Sequence, residues 1–161
     1  MSEMQKRPAA KPKKKETWEK PRHRVAFAFA RLYFRVFGWW KMGYTTGKVR
    51  LEKGKGHLVV CNHQSLYDAY LISMCFNRPL YVMAGDYMFN TGKPAERLVR
   101  WFAPIPKVKA GSDPASMINT MRILREGSVV CIFPEASRTY DGRFGEVHES
   151  MGRFIKKAST L

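Results

Sequence analysis

His63 and Asp68 stand five residues apart between two apolar runs, 57–61 and 69–74. On a single helix that spacing would set them about 140° apart, from the period of 3.6 residues. They meet only if His63 sits on a loop and Asp68 in the first turn of the helix that follows. A carboxylate so placed holds one imidazole nitrogen and leaves the other free to take a proton, as in a catalytic dyad. The same residues fit a plainer role. Ser65-x-x-Asp68 is also a capping-box-like signature, in which the carboxylate satisfies backbone N–H groups at a helix start. Both readings stand at this point.

A second segment has the same design. Residues 128–133 form a buried-strand run, Ser-Val-Val-Cys-Ile-Phe, that stops abruptly at the polar loop Pro134-Glu135-Ala136-Ser137-Arg138-Thr139. Asn62-His63-Gln64-Ser65-x-x-Asp68 resembles the N-H-x-S-x-x-D block of glycerolipid acyltransferases, the lysophosphatidate acyltransferase family. Residues 133–139 resemble that family's F-P-E-G-T-R-S block, with Ala136 for glycine and Ser137 for threonine. The resemblance runs from about residue 47 to 153. A third family block, similar to G-x-I-F-I-x-R, falls at 103–109 with alanine for glycine, intruding prolines, and Lys107 or Lys109 where arginine is usual. Lysine supplies the charge without the bidentate fork.

The resemblance implies transfer of a fatty acyl group from acyl-CoA or acyl-carrier protein to a lysophospholipid hydroxyl. His63 would be the general base and Asp68 would fix its tautomer. Glu135, Arg138 and Ser137, with Lys107 and Lys109, would position the acceptor; Asn62 and Ser65 would shape the loop and cap the helix. Backbone N–H groups at the helix start are candidate oxyanion donors. The acceptor hydroxyl attacks directly, so no enzyme nucleophile is needed. Cys61 or Ser65 beside His63 is a competing nucleophile, but no nucleophile elbow is present. No metal-ligand cluster or cofactor motif is visible; the acyl carrier is a co-substrate.

The elements that must hold these residues alternate strand and helix. Short strands are read at 48–52, 57–61, 80–84 and 128–132, and helices at 69–76, 94–102 and 114–126. Ser112 or Asp113 can cap the last of these, Pro114 suits its first position and Gly127 its end. Met117, Ile118, Met121 and Leu124 recur on it at core spacing. A further helix is read at 150–158. The alternation predicts a single α/β domain, 43–161, with a mostly parallel central sheet flanked by helices. Both motif blocks follow strands directly, so both should open on the carboxyl edge of that sheet.

Ahead of the domain lie a basic arm, 1–24, expected to be partly disordered, and an amphipathic helix, 25–42. The arm carries nine basic and three acidic residues, so the rest of the chain keeps ten of the sixteen net positive charges. Such a balance points to an anionic partner. In the helix, Arg24, Arg31 and Arg35 fall within about 20° of one line. Two central arginines cost about 2.5–3.5 kcal/mol each in a bilayer, and seven large apolar residues return only about 0.3–0.6 each. An in-plane helix at the interface is therefore favoured over a span. The expected location is the cytoplasmic face of a membrane, peripheral or monotopic. Cys61, Cys75 and Cys131 cannot all pair, which suits a reducing compartment. The other class considered is a non-catalytic basic module for membrane or nucleic acid. No nucleic-acid signature supports a nucleic-acid partner, and loss of His63 should matter only to the enzyme. Family members continue with another apolar strand, so the chain reads as a short or truncated form.

Overall fold

The computed structural model describes residues 21–161 apart from 66, 86–87, 90–91, 109–112, 136, 142, 144 and 148. Four strands, β1 (His57–Val60), β2 (Leu80–Gly85), β3 (Ile105–Lys107) and β4 (Val129–Ile132), form one sheet in the order β1-β4-β2-β3. All three pairings are parallel. Among the described residues five helices accompany them: α1 (Pro21–Met42), α2 (Asp68–Cys75), α3 (Lys93–Trp101), α4 (Pro114–Arg125) and α5 (Glu149–Ala158). The expected α/β domain with a parallel sheet is the fold observed. The strand read at 48–52 reduces to one bridge, Val49 to Phe76.

Burial follows the two-residue period of a strand. Along β4, Val130 and Ile132 join a cluster with Ile123 and Leu124 of α4 and Met151 and Phe154 of α5. Val129 and Cys131 join a second cluster with Phe27 of α1, Ile72 of α2 and Phe102. Both faces of the sheet are thus covered, which explains why its strands read as continuous apolar runs.

Chain direction explains which helices lie where. The path from β1 to β2 to β3 moves one way across the sheet, through α2 and α3. The step from β3 back to β4 reverses, so a right-handed crossover puts α4 on the opposite face. Neighbouring β1 and β4 therefore send their connections to opposite sides, α2 to one and α5 to the other. That is the topological switch point, where an open α/β sheet leaves a crevice at its carboxyl edge.

Local chemistry fixes the ends of the elements. The Asp113 carboxylate accepts from the backbone N–H of Ser116 at 3.1 Å and Pro114 opens α4, as its sequence predicts. At the other end Gly127 adopts φ +78°, and a Cβ there would collide with the Gly54 carbonyl. On α4, Met121 and Leu124 are buried and Met117 packs against them. Ile118 departs from its expected core place: it is 67% exposed, and Ser116, Thr120 and Ile123 fill the buried face instead. At the amino edge of the sheet, Arg78 donates to the carbonyls of Glu52 and Lys55, both at 2.7 Å, and to that of Gly127.

Helix α1 takes in Pro21 to Arg24, the last residues read as arm; residues 1–20 lie outside those described. Its Ala26 and Phe27 are buried, whereas Phe29, Leu32, Tyr33, Val36, Trp39 and Trp40 are exposed. Among the described residues no helix is long and apolar enough to cross a membrane.

Candidate active site

His63 lies on the loop that leaves β1, and Asp68 is the first residue of α2. His63 Nδ1 stands 2.9 Å from Asp68 Oδ2. A carboxylate can only accept, so Nδ1 carries the proton and Nε2 is left as the basic nitrogen. The same carboxylate oxygen accepts from the backbone N–H of Gln64 at 2.7 Å and of Ser65 at 2.8 Å. Both roles open to Asp68 in the sequence are therefore filled by one atom. Two consequences follow for neighbours. The Gln64 and Ser65 N–H groups, at the helix start where oxyanion donors were sought, point at Asp68. Ser65 Oγ accepts from Tyr67 N–H at 3.2 Å, a turn-closing bond just ahead of the helix. Asn62 is exposed on the same loop.

The loop leaving β4 lies alongside. Cys61 N–H donates to the Ile132 carbonyl at 3.1 Å, extending the ladder one residue past β1. Thr139 N–H donates to the His63 carbonyl at 2.9 Å. The ring of Phe133 stacks on the His63 imidazole, with centroids 4.2 Å apart and planes 20° from parallel. Glu135 is buried, at 4% exposure; its Oε2 accepts from Thr139 Oγ1 at 3.5 Å and packs against Gly145. Oε1 of Glu135 has no hydrogen-bond partner among the described residues. Ser137 is exposed and its N–H donates to the Glu135 carbonyl at 2.6 Å.

A cavity of about 250 Å³ opens beside His63. Arg138 and Lys107 line it with His63, and Ser73 and Tyr70 add hydroxyl groups. Phe27, Tyr70, Val82, Val99 and Phe102 contribute apolar wall. Lys107 ends β3, so the third block does reach the cavity; Lys109 falls outside the described residues. Glu135, Ser137, Asn62 and Ser65 are not among the lining residues. Burial holds the Tyr70 phenol above its ordinary pKa, keeping it a neutral donor at pH 7. Phe27, Tyr70 and Phe102 carried no site signal in the sequence. They come together only through tertiary packing, Phe27 edge-on to Phe102 at 5.5 Å and Tyr70 edge-on to Phe102 at 5.8 Å.

Cys61 and Cys131 form a thiol pair under α2. A hydrogen bond from the Cys131 thiol draws the Cys61 pKa down to about 7, and that bond plus burial pushes Cys131 up. Neither Cys61 nor Ser65 lines the cavity.

A histidine–carboxylate pair at the carboxyl edge of a parallel α/β sheet, beside a part-apolar cavity, makes this the candidate active site. Residues 44–161 match the family model Acyltransferase, and the chain belongs to that family, whose members transfer acyl groups. No solved structure matches the chain.

Proposed function

We propose that the chain moves a fatty acyl group from a thioester donor, acyl-CoA or acyl-carrier protein, to the hydroxyl of a lysophospholipid such as lysophosphatidate. The observation that carries this reading is the Asp68-held His63 imidazole at the polar side of an apolar cavity shared with Arg138 and Lys107. The free Nε2 takes the proton of the acceptor hydroxyl as its oxygen attacks the thioester carbonyl. The tetrahedral adduct then collapses, the C–S bond breaks, and the imidazolium returns the proton to the leaving thiolate. Asp68 stabilises the imidazolium between these steps. Arg138 and Lys107, with Lys109, hold the acceptor's phosphate, and the apolar wall takes hydrocarbon. Glu135 acts through the loop it braces with Thr139; Ser137, Asn62 and Ser65 shape the two loops.

Membrane association belongs to the same reading. The exposed aromatic and aliphatic side chains of α1 suit the acyl–headgroup boundary, and the basic charge suits the anionic cytoplasmic leaflet. The test is product analysis by mass spectrometry, with isotope-labelled acyl donor in CoA and carrier-protein forms. Lysophosphatidate, glycerol 3-phosphate and lysophosphatidylcholine are offered in turn on anionic vesicles. Labelled phosphatidate as the main product supports the reading. Preferential acylation of the choline-capped acceptor would contradict the role given to Arg138 and Lys107.

A further inference from the structure

We propose that Phe133 is a positioning residue for His63, clamping the imidazole plane and favouring its protonated form during turnover. The inference rests on the reading of His63 as the base. A bond at Nδ1 alone leaves the ring free to swing about the axis to Asp68. The face-on contact with Phe133, at 4.2 Å and 20°, removes that swing. The backbone of His63 is held from the same side by Thr139 N–H at 2.9 Å. Base, carboxylate and aromatic face therefore come from the loop after β1, the start of α2 and the loop after β4 respectively, and that last loop supplies both the ring contact and the backbone contact.

The arrangement of the rings adds chemistry to the geometry. Aromatic pairs prefer offset or edge contacts, and a phenyl face carries negative charge density. That face attracts a cation above it. Proton transfer from the acceptor turns the imidazole into a cation, so the contact strengthens in the transition state relative to the neutral base. Phe133 and His63 both line the cavity, so the phenyl ring also occupies one face of the imidazole that water would otherwise reach. Among the described residues, the titratable or charged groups beside His63 and this cavity include Asp68 and Tyr70 of α2, Lys107 of β3, Arg138 of the second loop and, next to Asp68, Cys61. Phe133→Leu leaves all of them in place.

The test compares wild type, Phe133→Leu and Phe133→Tyr for kcat, KM and the pH profile of kcat/KM. NMR titration of the His63 ring protons runs in parallel. Phe133→Leu is expected to lower kcat roughly tenfold with little change in KM. Its acid limb should move to lower pH by about half a pH unit, with the same displacement by NMR. Phe133→Tyr is expected to restore both. Pentafluorophenylalanine at position 133 keeps the shape and reverses the charge of the face, so it should move the limb the same way as leucine even if the leucine variant fails to fold. Unchanged limbs and NMR midpoints in the leucine and pentafluoro proteins would overturn the proposal. If His63→Ala remains fully active, the reading of His63 as the base fails, and the NMR titration still decides whether Phe133 biases the imidazole.

Discussion

Asp68 stabilises two things at once, and variants can separate them. Asparagine keeps a carbonyl oxygen for the Gln64 and Ser65 N–H groups but cannot hold the Nδ1–H tautomer of His63 in the same way. Asp68→Asn is therefore expected to fold with a melting temperature near wild type while losing about 10²–10⁴-fold in kcat. Asp68→Ala should lose activity and also loosen the loop, lowering the melting temperature. Equal activity of Asp68→Asn and wild type would remove the carboxylate from the mechanism. Cys61 gives a complementary prediction. With its pKa drawn down to about 7, it should alkylate with iodoacetamide at a rate half-maximal near that pH, ahead of buried Cys131. Cys61→Ala is expected to retain acyl transfer, because the thiol does not reach the cavity; loss of turnover with an intact fold would revive a covalent route. At this scale the dyad was legible because a loop–helix junction forces residues five apart to face each other. The Phe133 stack was not, since no periodicity connects residues seventy positions apart.

Among the elements, α4 tests capping most cleanly. Asp113 accepts from Val108 N–H at 2.9 Å as well as from Ser116, so it ties the chain on both sides of residues 109–112. Those N–H groups hold its carboxyl below the usual carboxylate range. The folded value lies below the unfolded one, so the stabilisation is present above the ordinary Asp pKa of about 3.9 and is lost as pH falls through the depressed value. Asp113→Ala is expected to cost about 1 kcal/mol in urea unfolding at pH 7. The gap to wild type should close in acid; a gap independent of pH would assign the cost to packing. The cap and stop of α4 were readable because Asp113, Pro114 and Gly127 act through their own backbone. Ile118 was misplaced because the helix turns Thr120 and Ile123 to the sheet, a choice set by its partner surface. Helix α1 was ambiguous between core and interface because apolar residues occupy most of its circumference. The structure uses one narrow stripe against the domain and leaves Trp39 and Trp40 outside. Trp39→Ser with Trp40→Ser should weaken co-sedimentation with vesicles several-fold and leave the melting temperature unchanged.

For the molecule as a whole, the sheet order explains why two blocks seventy residues apart make one site. Each follows a strand, β1 and β4 are neighbours, and their connections diverge. Strand–helix alternation carries the parallel sheet and its carboxyl edge in the sequence, but the placing of β4 between β1 and β2 depends on packing. The net charge of +16 acts at this scale too. Binding to anionic vesicles should weaken steeply between low and physiological salt, as the Debye length shortens to about 8 Å. A salt-independent remainder is expected from the apolar face of α1, and it should shrink in the double tryptophan variant. Binding that ignores both salt and the tryptophans would place the membrane contact elsewhere on the protein.

The most direct measurement is acceptor-dependent thiol release from acyl-CoA on anionic vesicles, with lysophosphatidate supplied, for wild type and His63→Ala. Release that requires lysophosphatidate and falls at least 10²-fold in the variant is the expected result for direct transfer with His63 as base. Equal release by the two proteins would contradict it.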